Sequence, residues 1–135
     1  MAALGVPALV LAVTVVAGGA LRSDTLRRDH NVMLVYVGAE NCAPCVAWRR
    51  VMGADFRASV EFSRLRYREV EAHTLFEVLN DDVWPVDLRS YRARIDRANG
   101  VPMWLVVADG QVVAQGFGVS EWQKSVLPTL VSLVR

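Results

Sequence analysis

Lysine is almost absent from this chain: Lys124 is the only one among fifteen basic residues, the rest being arginine. Fourteen Asp and Glu offset them, so the net charge is +1 and no basic field is left to hold nucleic acid. Histidine and cysteine are equally scarce, two of each. His30 and His73 have no motif-like spacing to the cysteines, and two thiols supply half the ligands of a structural zinc site. Neither a resident metal nor a cofactor is therefore expected. No internal repeat occurs, and no low-complexity tract follows the N-terminal segment. A length of 135 residues, 53% hydrophobic and 21% charged, suits one globular domain with a real core.

Charge is also missing from residues 4–21, which are nearly all Leu, Val, Ala and Gly, with Thr14 the one polar side chain. As a helix this run would reach about 27 Å, just short of a hydrocarbon core. Its glycines and β-branched valines make a poor soluble helix. Residues 1–21 are therefore expected to be a signal peptide, with small residues Ala17 to Ala20 resembling a cleavage site, or an uncleaved membrane anchor. Residues 22–31 are a linker and residues 32–135 the folded domain. The expected location is periplasmic or otherwise extracytoplasmic, anchored to the inner membrane by residues 4–21 if that segment is kept. One pattern runs against this: no basic residue precedes the apolar run, whereas Arg22, Arg27 and Arg28 follow it, which by the positive-inside rule favours a cytoplasmic domain.

Val32 to Val37 is a continuous β-branched apolar run, the mark of a strand buried on both faces, broken at Gly38 and Asn41. A helix starts near Cys42 with Asn41 as its N-cap and continues to about Gly53. Arg64 to Val70 alternates and reads as a second strand. A helical turn over His73–Leu79, a loop at Asn80–Asp82 and a helix over Asp87–Ala98 follow, the last closed by Asn99–Gly100. Its arginines read as a solvated face. Pro102 opens a strand through Val107. Asp109–Gly110 signals a two-residue hairpin returning along Gln111–Phe117. Ser120 could cap a final helix to about Val134, kinked or delayed by Pro128. The order predicts an α/β fold, a central mixed sheet of about four strands flanked by helices. Trp48, Trp84, Trp104 and Trp122 could line a groove, but at least Trp104 reads as core.

The two cysteines stand three apart, in Cys42-Ala43-Pro44-Cys45, between the first strand and the first helix. Disulfide exchange needs a thiolate, and a free thiol with a pKa near 8.5 is mostly protonated at neutral pH. The partial positive charge and free N–H groups of a helix N-terminus stabilise the anion. Cys42 occupies that place, and Cys45 lies one turn on, within disulfide reach. Pro44 fits the first turn, where its missing N–H is not needed. Cys42 is thus expected to be the exposed nucleophile and Cys45 the more buried resolving thiol. A static disulfide would return little, since a three-residue loop constrains the unfolded chain weakly. A two-thiolate copper(I) site is the other open use of the pair.

With these features the chain resembles the thioredoxin-like family from about Val32 to its C-terminus. The resemblance rests on the apolar strand leading through Gly38-Ala39-Glu40-Asn41 into Cys42-Ala43-Pro44-Cys45. It rests also on Gly100-Val101-Pro102 before an apolar strand, and on Asp109-Gly110 followed by Val112, Val113, Gly116 and Gly118. It implies a thioredoxin-like fold and a thiol–disulfide oxidoreductase, leaning to the reductase direction. The partners it implies are protein or peptide disulfides and dithiols and a redox partner protein. It also implies a cis Val101–Pro102 bond facing the disulfide, in a loop whose backbone holds substrate as an added strand. The alternative is a membrane-tethered module of the same fold that binds copper(I) or a partner protein without turnover. Two departures stand out. Thioredoxins place a buried acid six residues before the first cysteine, where this chain has Tyr36, a poor base with a free pKa near 10. Asn41 stands where the family has tryptophan. Both argue for a specialised member.

Overall fold

A computed structural model of the chain describes residues 30–95 and 100–135. The expected signal or anchor at 1–21, the linker as far as residue 29, and the helix stop at Asn99 lie outside the described residues. Among those described, no helix is long and apolar enough to cross a membrane.

Four strands form one sheet in the order β2-β1-β3-β4. β1, Val32–Ala39, and β3, Met103–Ala108, lie in the middle and are buried along their whole length. That is why both read as unbroken apolar runs: a central strand covered on both faces has no side for water. β2, Arg66–Ala72, runs parallel to β1, while β3 is antiparallel to β1 and to β4, Gln111–Phe117. The hairpin turn has Asp109 at φ 51 and Gly110 at φ 80, the left-handed pair that a two-residue hairpin demands. Asp109 also ties down the start of β1, accepting from the Asn31 N–H at 3.0 Å and facing His30 Nδ1 at 2.8 Å.

Gly38 does not break β1, as its glycine suggests, but lies inside it. The hydroxyl of Tyr36, two residues back on the same face, stands 2.2 Å from where a Gly38 Cβ would be, so the strand needs glycine there. α1, Ala43–Arg50, and α2, Met52–Arg57, then descend over this face. Tyr36 stacks on Trp48 with ring centroids 5.0 Å apart. Trp104 and Trp122 complete the cluster at 5.0 and 4.9 Å from Trp48. All four rings are buried. They clamp α1 and the C-terminal helix to the sheet, each pair contributing about 1 kcal/mol beyond its area. The tryptophans are core, Trp84 included, whose Nε1 donates to the Val78 carbonyl at 2.7 Å.

Four elements differ from the sequence reading. β2 starts at Arg66, because Phe62–Arg64 coils into a 3-10 turn. The 73–79 segment makes turns without a helix, with Glu77 capping it by accepting the Thr74 N–H at 3.1 Å. Among the described residues, the helix expected over Asp87–Ala98 is limited to α3, Arg89–Arg92, behind a 3-10 turn at Val86–Leu88, and residues 96–98 lie outside them. Arg89 and Arg94 are exposed, as a solvated face requires, but Arg89 and Arg92 also act as braces. Arg89 Nε donates to the Trp84 carbonyl at 3.1 Å, and Arg92 Nη1 to that of Leu79 at 3.0 Å, with Asp81 paired to the same guanidinium. Finally, α4, Val119–Glu121, is capped by Gly118 at φ 81, not by Ser120. A π segment, Trp122–Val126, leads into α5, Leu127–Val134. The wider π turn precedes Pro128, whose ring and missing N–H an α-helical interior would not admit.

Candidate active site

The cysteines meet at the top of β1, where the chain turns into α1. Cys42 and Cys45 are joined as a disulfide, S–S 2.12 Å, with Cα atoms 5.2 Å apart. Cys42 is itself the N-cap of α1: its backbone is extended at φ −100 and ψ 103, and its sulfur accepts the Cys45 N–H at 3.2 Å. The sulfur of Cys42 is thus placed where the free N–H groups and the helix dipole favour an anion. Asn41, expected as the cap, is displaced from that task. Its Oδ1 instead accepts the Leu75 N–H at 3.1 Å and ties the 73–79 segment to the active-site turn. Ala43 and Pro44 are exposed at the first turn of α1.

Cys42 is not the exposed group the sequence suggests. It retains 3% of its surface and Cys45 none, so the expected order survives but both lie in the wall of the site. The reason is tertiary. The Val101–Pro102 bond is cis, and the Val101 carbonyl oxygen stands 3.8 Å from the Cys42 sulfur, which as a thiol can donate to it. The Gly118 N–H donates to the Pro102 carbonyl at 2.8 Å and holds this loop against the start of α4.

Tyr36 is fully buried, and burial pushes its phenol up to about 12, with Glu71 and Glu69 adding to the rise and Arg49 opposing it. Its hydroxyl has no hydrogen-bond partner. At neutral pH it is a neutral phenol and cannot serve as a base. Beside it, Arg49 of α1 donates to Glu71 of β2 at 2.6 Å.

Reading the sequence did not single out three of the residues here. Arg49 and Glu71 look like ordinary surface charges in a helix and an alternating strand. Phe76, 95% exposed, projects with Leu75 beside a groove of about 470 Å³ that also takes in Val78, Leu79, Val101 and Met103. The signal that could have found it is the Leu75-Phe76 pair between polar His73-Thr74 and Glu77, in a turn-forming stretch.

No protein-family model and no curated protein sequence matches the chain. Among solved structures, it is similar to a thioredoxin of Malassezia sympodialis, Mala s 13, at 12% identity and a TM-score of 0.52, over 78% of this chain and 79% of that one. It is also similar to the germline-specific thioredoxin Deadhead of Drosophila melanogaster, at 14% identity and a TM-score of 0.50, over 82% and 87% of the two chains. The fold is thioredoxin-like, a four-stranded mixed sheet flanked by helices.

Proposed function

We propose that this thioredoxin-like domain is a thiol–disulfide oxidoreductase acting on protein or peptide disulfides. The observation that carries the reading is the Cys42–Cys45 bond at the N-terminus of α1 with the Val101 carbonyl 3.8 Å from the Cys42 sulfur. In the reductase direction, the Cys42 thiolate attacks one sulfur of the substrate disulfide and the other sulfur leaves as a thiolate. Cys45 then gives up its proton and attacks Cys42, closing the disulfide found here and releasing the second substrate thiol. Two electrons pass to the substrate, and a redox partner restores the dithiol.

Val101 and Pro102 hold the substrate chain in this reading, because the backbone of an extended peptide can pair with the loop beside the nucleophile. The groove bearing Leu75 and Phe76 takes in Val101 and, being of mixed polarity, supports a protein partner over a small molecule. The domain works outside the cytoplasm, with residues 4–21 as export signal or inner-membrane anchor. Fusing a reporter that is active only in the periplasm to the C-terminus tests this sidedness.

The chemical test uses the reduced full chain and a protein disulfide such as insulin. Wild type is expected to turn it over, Cys42→Ser to be inactive, and Cys45→Ser to accumulate the mixed disulfide. A Cys42 thiol titrating near 8.5, with no exchange in either direction, would sink the proposal, and stoichiometric copper(I) binding by that inert dithiol would favour the metal-binding module.

A further inference from the structure

Val46, Arg49 and Arg50 stand three and four residues apart on α1 and so share a face, flanking the buried stripe of Cys45 and Trp48. α1 ends at Val51, and Arg57 of α2 reaches back across that break to donate to the Arg49 carbonyl at 2.8 Å. With Glu69 of β2 these side chains line an open cleft of about 430 Å³. Three of the five lining residues are arginine.

Structural duties account for part of this cluster. Arg49 and Arg50, in the last turn of α1, complement the helix dipole. Arg49 is paired with Glu71 at 2.6 Å, and Arg57 satisfies a carbonyl at the helix end. These duties leave charge over. Among the described residues no carboxylate pairs with Arg50 or Arg57. Glu69, the one acid lining the cleft, accepts the Tyr67 hydroxyl at 2.8 Å. Like charges around one cleft repel, a cost that a bound anion removes. The bonds to Glu71 and to the Arg49 carbonyl also hold Arg49 and Arg57 in place while using one N–H of each, and a guanidinium has five. Donors fixed beforehand lose less freedom when a ligand arrives.

We propose that this cleft binds a phosphate ester. Arg50 and Arg57 take the phosphoryl oxygens in forked hydrogen bonds, and Arg49 adds positive charge beside them. Guanidinium forks match phosphoryl geometry. A phosphate monoester carries nearly two negative charges at pH 7, which matches the two guanidiniums that lack a carboxylate. The cleft volume falls within the range of small-molecule sites. Val46 is the one apolar lining residue, so the cleft has no seat for an acyl chain, which favours a soluble ester over a lipid head group.

Calorimetric titration of the full oxidised chain with glycerol phosphate tests the site. Wild type should show one saturable site with a Kd of about 1 mM or tighter. Arg50→Gln and Arg57→Gln should each weaken binding about tenfold. Both arginines are exposed, so these variants should keep the wild-type Tm closely. Glu69→Gln removes the negative charge from the cleft yet keeps an acceptor for Tyr67, and should tighten binding several-fold. Arg66→Gln, exposed and on the opposite face of β2 from Glu69, should change nothing. The site does not depend on the redox reaction, so Cys42→Ser should bind as wild type does, and a chain inactive towards disulfides could still bind the ester. Absence of saturable binding overturns the proposal, as does a loss in Arg66→Gln equal to that in Arg57→Gln. A short-chain phosphatidate binding far more tightly than glycerol phosphate would overturn the assignment to a soluble ester.

Discussion

Tyr36 occupies the centre of the molecule at no exposure, its ring stacked on Trp48 and its hydroxyl over Gly38. Its phenol is raised from 10 to about 12, burial being the largest cause. A group whose folded pKa lies above its unfolded value stabilises the fold fully below the unfolded value and loses that contribution as pH rises. Tyr36 therefore costs nothing up to about pH 10, and its resistance to ionising destabilises the fold progressively between about 10 and about 12. Tyr67, bonded to Glu69 and also raised, acts in the same direction. Tyr36→Phe removes one such group together with an unpartnered buried hydroxyl. It should shift alkaline unfolding, followed by circular dichroism, to higher pH, and should not weaken the protein at pH 7. A variant that unfolds at the wild-type alkaline midpoint would show that this phenol is not the titrating group.

The C-terminal helix is the element on which most of the aromatic core converges. Trp122, in its π segment, meets Trp48 at 4.9 Å, Trp104 at 5.2 Å and Phe56 at 5.3 Å. Trp122→Ala should cost about 3–5 kcal/mol in chemical denaturation, because three packed elements lose a common partner and cannot collapse into the gap. Arg50→Ala, on the exposed side of α1, should stay within about 0.5 kcal/mol. β1 and the hairpin were legible beforehand because their signals are local: a β-branched run, and Asp109-Gly110. The short α3 was not. Arg89 and Arg92 turn to the carbonyls of Trp84 and Leu79, residues distant enough that helical periodicity carries no trace of them.

Across the whole molecule, one face gathers the disulfide, the Val101–Pro102 loop and the 73–79 segment, held together by Asn41 and Leu75. Phe76 on this face is almost wholly exposed, and under the proposed function it serves as a contact for the protein substrate. Phe76→Ser should raise KM for a protein disulfide several-fold, leave kcat with a small disulfide unchanged, and alter stability by less than about 0.5 kcal/mol. An equal effect on both substrates would remove it from the docking surface. The sequence by itself determined the chemistry on offer: two thiols one helical turn apart at a strand-to-helix junction, and a proline loop to set beside them. It also determined that Tyr36 stands where an acid would be. Only the tertiary structure decided that Cys42 is buried, since the carbonyl that closes over it belongs to Val101, far along the chain. It alone decided that Glu71 meets Arg49, because strand register, not sequence distance, sets Glu71 beside Gly38 and within reach of α1.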